Sequence, residues 1–296
     1  MGYPNKFGLL CQDLLDSLFH HHSIDKLHPF FASEKSVPWI GNIMASRWAY
    51  EGLAVSQYKD NDYERQFYAF DQRMKTANWK KDLWVRDLQD RSATLRRALH
   101  KDADLRENIY DIGLIRVEMA KEMRAINGLK FDGLSTFTPA ELREPALDEL
   151  DAVLNTLTTH YRNTYKSAER EKEALIAKLT ATPALRESYF ELLDGQRNES
   201  LADHVTNKND VNVIAESGGE LVQKSDPIYV EPREGGFFAA HFYAPVKRIF
   251  GNRVDTPWAN IGFIWVMTAL LALALKWNFF PWLVERVSTK PWERTP

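Results

Sequence analysis

A single cysteine, Cys11, is the only thiol in this chain of 296 residues. One thiol cannot form an intramolecular disulfide, and it excludes a zinc-finger type of thiolate cage. An excess of positive charge is also missing, because 38 Lys and Arg residues stand against 41 Asp and Glu residues and give a formal net charge of −3. This balance gives no support to nucleic acid as the main partner, since binding to phosphates requires clustered basic residues.

The sequence also lacks the short motifs that accompany common enzyme chemistry. It contains no G-x-x-x-x-G-K-[ST], G-x-G-x-x-G, G-x-S-x-G or H-E-x-x-H pattern. The string ESGGE at 216–220 faintly resembles the Ser-Gly-Gly signature of ATP-binding cassettes, but an extended segment follows it and its two glutamates would repel phosphate. We therefore predict a hairpin turn there, no catalytic or cofactor-binding residue, and a chain that is not an enzyme by itself.

Histidines form the one group that suggests a metal site. His20, His21 and His22 are consecutive, and His28 lies nearby. Consecutive side chains on a helix point in different directions and cannot converge on one ion as ligands at i and i+4 do. The spacing predicts a solvated histidine run and no metal site.

A long uncharged stretch near the C-terminal end is the most informative feature, although the mean hydropathy of the chain is only −0.42. The segment Thr256–Leu275 contains no formal charge, and as a helix it rises roughly 30 Å, the thickness of the bilayer hydrocarbon. Trp258 at one end and Trp277 and Trp282 at the other are typical of interfacial aromatic belts, and Lys276 can extend its ammonium towards headgroups. The segment predicts a transmembrane helix over 256–275; the alternative is a buried helix of a soluble core.

The orientation of this helix is left open by its flanks. Four basic residues lie on each side of it, so the positive-inside rule does not decide: Arg233, Lys247, Arg248 and Arg253 before it, and Lys276, Arg286, Lys290 and Arg294 after it. The opening residues show no apolar core or cleavage site of a signal peptide. The chain is then either a tail-anchored cytosolic protein, an exported chain without a leader, or the end of a longer polypeptide whose earlier spans set the topology.

The rest of the chain predicts a mainly α fold with a small β-hairpin element. Apolar spacing predicts helices over 37–58, where Arg47 and Glu51 form an i,i+4 pair, over 83–126 with a charged break at HKDAD, over 145–181, and after Pro183. One face of the helix over 145–181 is marked by Leu147, Leu150, Leu154, Leu157 and Tyr161. Residues 60–80 show no clear period. Residues 127–139 are rich in Gly, Ser, Thr and Pro and predict a loop, and VNVIAESGGELVQK predicts a short hairpin around its Gly-Gly centre.

These expectations divide the chain into five parts. We expect an irregular N-terminal segment at 1–36, a membrane-proximal helix at 37–58, a mainly helical domain at 59–255, the transmembrane helix at 256–275 and a short tail at 276–296. The periodicity of the helix at 37–58 fits a membrane interface and a core-facing position equally well.

Three phrases together resemble a known family. MASRWAYEGLAVSQYKDNDYE at 44–64 resembles the segment that follows the fifth span of type-2 ABC exporter permeases, where a motif carries the equivalents of Ser46, Arg47, Trp48 and Glu51. The stretches 197–232 and 239–268 are similar to the closing part of large fused ABC exporters of Bacteroidetes-type bacteria. The resemblance covers residues from about 24 to the C-terminal end.

The resemblance implies a topology and a set of partners. It places residues from about 24 to 250 on the periplasmic side of the bacterial inner membrane, which makes the domain at 59–255 extracytoplasmic. It makes 256–275 the last span and leaves the tail at 276–296 in the cytoplasm. It implies contacts with membrane lipid, with other transmembrane spans and with an ATP-binding cassette that would hold ATP and Mg²⁺; a homodimer is among the assemblies it allows. The chain departs from the family pattern at residues 1–19, which do not match the apolar fifth span.

The resulting expectation is a permease segment that exports an unknown substrate by alternating access, driven by ATP hydrolysis in a cassette that this chain does not contain. The alternative from a different class is a membrane-anchored or tail-anchored helical scaffold that binds another protein through its charged helices. An anchored periplasmic hydrolase is a third reading, and no nucleophile or metal motif supports it.

Overall fold

The computed structural model describes residue 37 and residues 39–232 and 236–288. The histidine run and the expected irregular segment at 1–36 lie outside the described residues. The fold is mainly helical with two small antiparallel sheets. Its helices are α1 (Trp39–Asn42), α2 (Ala45–Lys59), α3 (Glu64–Trp79), α4 (Val85–His100), α5 (Ile109–Ala125), α6 (Glu144–Leu179), α7 (Pro183–Gln196), α8 (Glu199–Val205), α9 (Thr256–Lys276) and α10 (Phe279–Ser288).

The helix expected over 37–58 is broken into α1 and α2 at Ile43 and Met44. Met44 has an extended backbone conformation and cannot continue a helix. The break is stabilised by the indole of Trp48, whose Nε1 donates to the carbonyl of Asn42 at 2.9 Å and satisfies a terminal acceptor of α1.

Within residues 60–80, which have no visible period, Glu64–Trp79 form helix α3. Asn61 caps the turn that leads into it, because its Oδ1 accepts hydrogen bonds from the amides of Tyr63 and Glu64 at 3.0 and 2.7 Å. The helix continues into α4 through one π-helical stretch, Lys80–Trp84. The wider turn places both ends of that stretch, Lys80 and Trp84, in the interior.

The main core lies between α3, α4, α5 and α6. The chain breaks at residues 101–104 between α4 and α5, as the HKDAD string predicts, and Asp104 caps the following 3-10 turn Leu105–Asn108. The expected face of α6 is confirmed, because these of its residues are buried: Leu147, Leu150, Leu154, Leu157 and Tyr161.

The far end of α6 extends beyond this core. Ala168 is the last buried residue of α6, and α7 has no buried residue at all. Thr182 caps α7 by accepting from the amide of Leu185 at 3.3 Å, and Pro183 occupies the first turn as expected. Together, the end of α6 and α7 present a solvated surface.

Two hairpins are present where one was predicted. In the first, β1 (Ile214–Ser217) pairs with β2 (Glu220–Gln223), and Gly218 and Gly219 have φ values of 61° and 73°, so ESGGE is a hairpin turn as predicted. In the second, β3 (Val246–Ile249) pairs with β4 (Asn252–Asp255). The sequence did not reveal it, because Phe250 occupies one of the left-handed positions of its turn.

Helix α9 is long and apolar enough to cross a membrane, and 11% of its most apolar window is buried inside the molecule. Its buried residues are Thr256, Ala259 and Asn260, all in the first two turns. A buried helix of a soluble core would be covered along its length, so this exposure favours the predicted membrane helix over the alternative. The expected short tail at 276–296 contains a further helix, α10.

Candidate functional site

Helix α2 runs antiparallel to α9 and packs against its beginning. Trp48 near the start of α2 lies beside Asn260, whereas Lys59 at its end binds Asp255 just before α9, with 2.8 Å between Nζ and Oδ1. Gly52 lies between these points, where an added Cβ would be 3.7 Å from Cα of Pro257. The start of α9 is fixed further by Thr256, whose hydroxyl donates to the carbonyl of Ala244 at 2.5 Å.

Three polar side chains of the interface between α2, β3 and α9 meet on one carboxylate. Glu51 accepts a hydrogen bond from Lys247 Nζ at 2.6 Å and one from Asn260 Nδ2 at 2.9 Å. Arg47 Nη2 lies 3.6 Å from the same oxygen, the i,i+4 pair that the sequence predicts. We call Arg47, Glu51, Lys247 and Asn260 the polar cluster; none of the four exposes more than 1% of its surface.

The charges of the polar cluster do not cancel, since two cations surround one carboxylate. The indole ring of Trp48 supplies further compensation: the Arg47 guanidinium lies 3.9 Å and the Lys247 ammonium 4.3 Å from its centroid. The negative face of an indole ring attracts cations. Trp48 therefore acts as a neutral second partner for both cations.

Aromatic rings cover the other sides of Trp48. Phe237 stacks on it with 5.1 Å between ring centroids, and Phe263 of α9 lies at 4.5 Å. Phe238 contacts it edge-on at 6.1 Å. These rings keep water from the polar cluster, and they join α2, α9 and the turn Phe237–Ala239 into one packed unit.

Burial shifts the pKa values of both cations of the cluster. Desolvation lowers the pKa of Lys247 to about 8 although the Glu51 carboxylate acts in the opposite direction, and the nearby Arg47 lowers it further. Desolvation also lowers the pKa of Arg47, again against the effect of Glu51. The ammonium of Lys247 is thus the more easily neutralised of the two.

Hydrogen bonding in this region is incomplete. Among the residues that the structure describes, the buried side-chain atoms without a hydrogen-bond partner all lie here: Asn42 Oδ1, Arg47 Nε and Nη1, Glu51 Oε1 and Asn260 Oδ1. Natural proteins pair nearly all buried polar groups, so this concentration of exceptions distinguishes the site from the rest of the described core. The mixture of donors and acceptors does not match a simple anion site.

A second group of buried polar side chains lies in the main core, and its hydrogen bonding is complete. Lys80 Nζ donates to Glu122 at 2.6 Å, Trp84 Nε1 donates to Glu118 at 2.7 Å, and Tyr161 donates to Glu122. The amide of Leu221 in β2 donates to Glu118 at 3.1 Å. None of these side chains has an unpartnered buried atom, so this cluster holds the π-helical stretch, α5, α6 and the first hairpin together.

Three of the four motif residues that the resemblance selects lie in the polar cluster or directly against it. Arg47, Trp48 and Glu51 lie on one face of α2, whereas Ser46 is exposed on another face. Sequence reasoning missed Lys247 and Asn260. Asn260 carries a usable signal, because it is the one amide side chain in the uncharged stretch 256–275, and polar side chains are rare in stretches of this kind.

The expected membrane-interface residues are all exposed. Trp258 and Trp277 each expose 71% of their surface and Trp282 exposes 48%, and Lys276 ends α9 with its side chain also exposed. They lie at the two ends of α9 and beyond it, where an interfacial belt would require them.

In the part of the chain that the structure describes, no group of His, Cys, Asp and Glu side chains is arranged to hold a metal ion. Comparison with family models, with curated proteins and with solved structures finds no match to this chain. The polar cluster and the exposed α9 are the structural features with the clearest bearing on function.

Proposed function

We propose that this chain is the membrane-spanning permease segment of an ABC-type transporter, with α9 as its last span and the helical region on the periplasmic side of a bacterial inner membrane. The observation that carries the proposal is the meeting of Arg47, Trp48 and Glu51 with Asn260 at the start of α9. The motif of the resemblance thus lies where a span would enter its extracytoplasmic domain.

The polar cluster suits a mechanical role in alternating access. Asn260 binds both the carboxylate of Glu51 and the backbone carbonyl of Trp48 at 2.9 Å, so a tilt of α9 would move α2 with it. Helix α2 packs through Val55 and Tyr58 on α8 and the turn Pro227–Tyr229. Motion of the last span would in this way reach the helical domain above the exit path.

The remaining parts of the transporter would come from elsewhere. One helix cannot enclose a substrate path, so further spans are required. ATP and Mg²⁺ would bind on a cassette subunit or domain outside this chain, and the substrate that is exported is unknown.

Purification from native membranes tests this proposal. The tagged full chain, cross-linked before extraction into mild detergent, should retain a polypeptide with a G-x-x-x-x-G-K-[ST] motif and vanadate-sensitive ATPase activity. A matched variant lacking Thr256–Leu275 should retain neither, because its packing against partner spans is gone. Recovery of the cross-linked full chain without any ATPase would contradict the proposal.

The scaffold alternative rests on a different surface. The end of α6 after Ala168 and the whole of α7 have no buried residue, and Leu185 and Phe190 of α7 are exposed apolar side chains. Such a surface suits a soluble protein partner. This reading predicts that the helical region faces the cytosol, which the sidedness experiment in the Discussion measures.

A further inference from the structure

Helix α10, which follows α9 directly, has two unlike faces. Phe279, Phe280 and Val284 expose 44%, 43% and 68% of their surfaces. At 100° per residue, Phe280 and Val284 lie one turn apart on the same side, and Glu285 lies opposite the pair Phe279 and Phe280. The helix therefore presents an exposed apolar side with Phe280 and Val284, and another side on which Glu285 and Arg286 flank Trp282.

The chain changes direction between the two helices. Asn278 has a left-handed conformation with φ of 50°, which asparagine tolerates better than most residues. The amides of Trp277 and Asn278 close the end of α9 on the carbonyls of Leu273 and Leu275, and the carbonyl of Asn278 accepts the first hydrogen bond of α10 from Trp282 at 3.1 Å. Helix α10 therefore does not prolong the axis of α9.

The apolar surface continues through this turn. Leu275 and Trp277 at the end of α9 are exposed, as are Phe279 and Phe280 at the start of α10. Beside this surface, the Arg286 guanidinium lies 5.0 Å from the ring centroid of Trp282. Aromatic rings with a cation at their edge are typical of the boundary between acyl chains and headgroups.

We infer that α10 is an interfacial helix, lying in the plane of the membrane with Phe280 and Val284 towards the acyl chains and Glu285 towards water. Its ten residues rise roughly 15 Å, which is too short to cross a bilayer. The apolar face would enter about 5–10 Å into the boundary region and fix the depth and rotation of α9. This inference rests on the proposed crossing of the membrane by α9.

The experiment uses the full chain with Cys11→Ser and one new cysteine, labelled with a small fluorophore and reconstituted in phosphatidylcholine vesicles that contain brominated acyl chains. The test positions are F280C and V284C, the matched control on the other face is E285C, and V266C marks the middle of α9. Bromine is placed near the headgroup in one set of vesicles and near the terminal methyl in another.

We expect quenching at positions 280 and 284 to exceed that at 285 several-fold, and to be strongest with bromine near the headgroup. Position 266 should be quenched best by bromine near the terminal methyl. Equal quenching at positions 280, 284 and 285 would overturn the inference. Quenching at position 266 with none at positions 280, 284 and 285 would also overturn it, and would indicate that a protein partner or water surrounds α10. Absence of quenching at 266 would instead overturn the proposed function, because α9 would not be in the bilayer.

Discussion

At the scale of single residues, we expect Glu51 to contribute most to the stability of the polar cluster, because it is the one carboxylate that the two cations of the cluster share. Replacing it by the isosteric Glu51→Gln keeps the volume and leaves two buried cations without a counter-charge. We expect a loss of about 3–5 kcal/mol in the free energy of unfolding, as for other buried pairs that lose one partner. Urea denaturation of the detergent-solubilised full chain, followed by tryptophan fluorescence, measures it.

Lys247→Met is the matched control for that substitution. Methionine fills a similar volume, and Glu51 keeps Asn260 and Arg47 as partners, so the loss should be clearly smaller than for Glu51→Gln. If the two variants lose the same stability, the charge balance assigned to the polar cluster is wrong.

The lowered pKa of Lys247 predicts a pH dependence of stability. The pKa is about 8 in the folded chain against 10.5 for an ordinary lysine, so between these values the unfolded chain binds more protons than the folded one. Stability therefore rises with pH in this window, by at most about 1.4 kcal/mol per pH unit, and the penalty for burying the ammonium is fully present below about pH 8.

Denaturation of wild type and Lys247→Met at several pH values isolates this effect. The contributions of other titrating groups cancel in the difference between the two free energies of unfolding. The wild type should gain stability relative to the variant from about pH 8 to 10.5. A difference that stays constant over that range would refute the assigned cause.

The residue types of the site were predictable to a limited extent. The i,i+4 spacing of Arg47 and Glu51 follows from helical geometry, and the structure confirms their pairing. Lys247 lies 196 residues further along the chain than Glu51, and no local pattern links positions so far apart. Their contact depends on how the second hairpin packs on α2, which only the fold determines.

At the scale of elements, α2 packs against α9 at Gly52. A Cβ at this position would lie 3.6 Å from Cβ of Asn260 and 3.7 Å from Cα of Pro257, which is ordinary contact. Gly52→Ala should therefore stabilise the chain by about 0.5–1 kcal/mol, because alanine reduces the freedom of the unfolded helix segment.

Gly52→Leu is the informative counterpart, since its side chain would extend beyond a Cβ that already contacts Asn260 and Pro257. We expect it to lower the thermal unfolding midpoint of the full chain in detergent, whereas Gly52→Ala should leave it unchanged or raise it. A leucine variant as stable as wild type would show that α2 and α9 are not packed at this distance.

Elements were predicted well where one apolar face dominates. The bounds of α6 and α9 follow from long apolar periods and from proline near the first turn. Helix α3 was missed because its mixture of charged and aromatic residues hides the period, although Asn61 is a recognisable cap. The π-helical stretch was not predictable, because one added residue per turn shifts the phase of the pattern without changing its composition.

At the scale of the whole molecule, side-chain contacts as well as the peptide chain join the helical region to α9. Lys247 and Asn260 join α9 and the second hairpin to α2, and Tyr58 of α2 reaches Tyr229 with 2.7 Å between the hydroxyl oxygens. These contacts fix the start of α9 relative to the helical region, as the proposed coupling between the last span and that region requires.

The side of the membrane on which the helical region lies separates the permease from the tail-anchored scaffold. In a Cys11→Ser background, L185C reports on the exposed surface of α7 and E285C reports on the far end of α9. In spheroplasts of the cell that makes the protein, a membrane-impermeant maleimide should label position 185 from outside and position 285 only in inverted vesicles, because a polar thiol reagent does not cross the hydrocarbon layer. The opposite pattern would establish the scaffold topology, and labelling of both positions from one side would show that α9 does not cross the membrane at all.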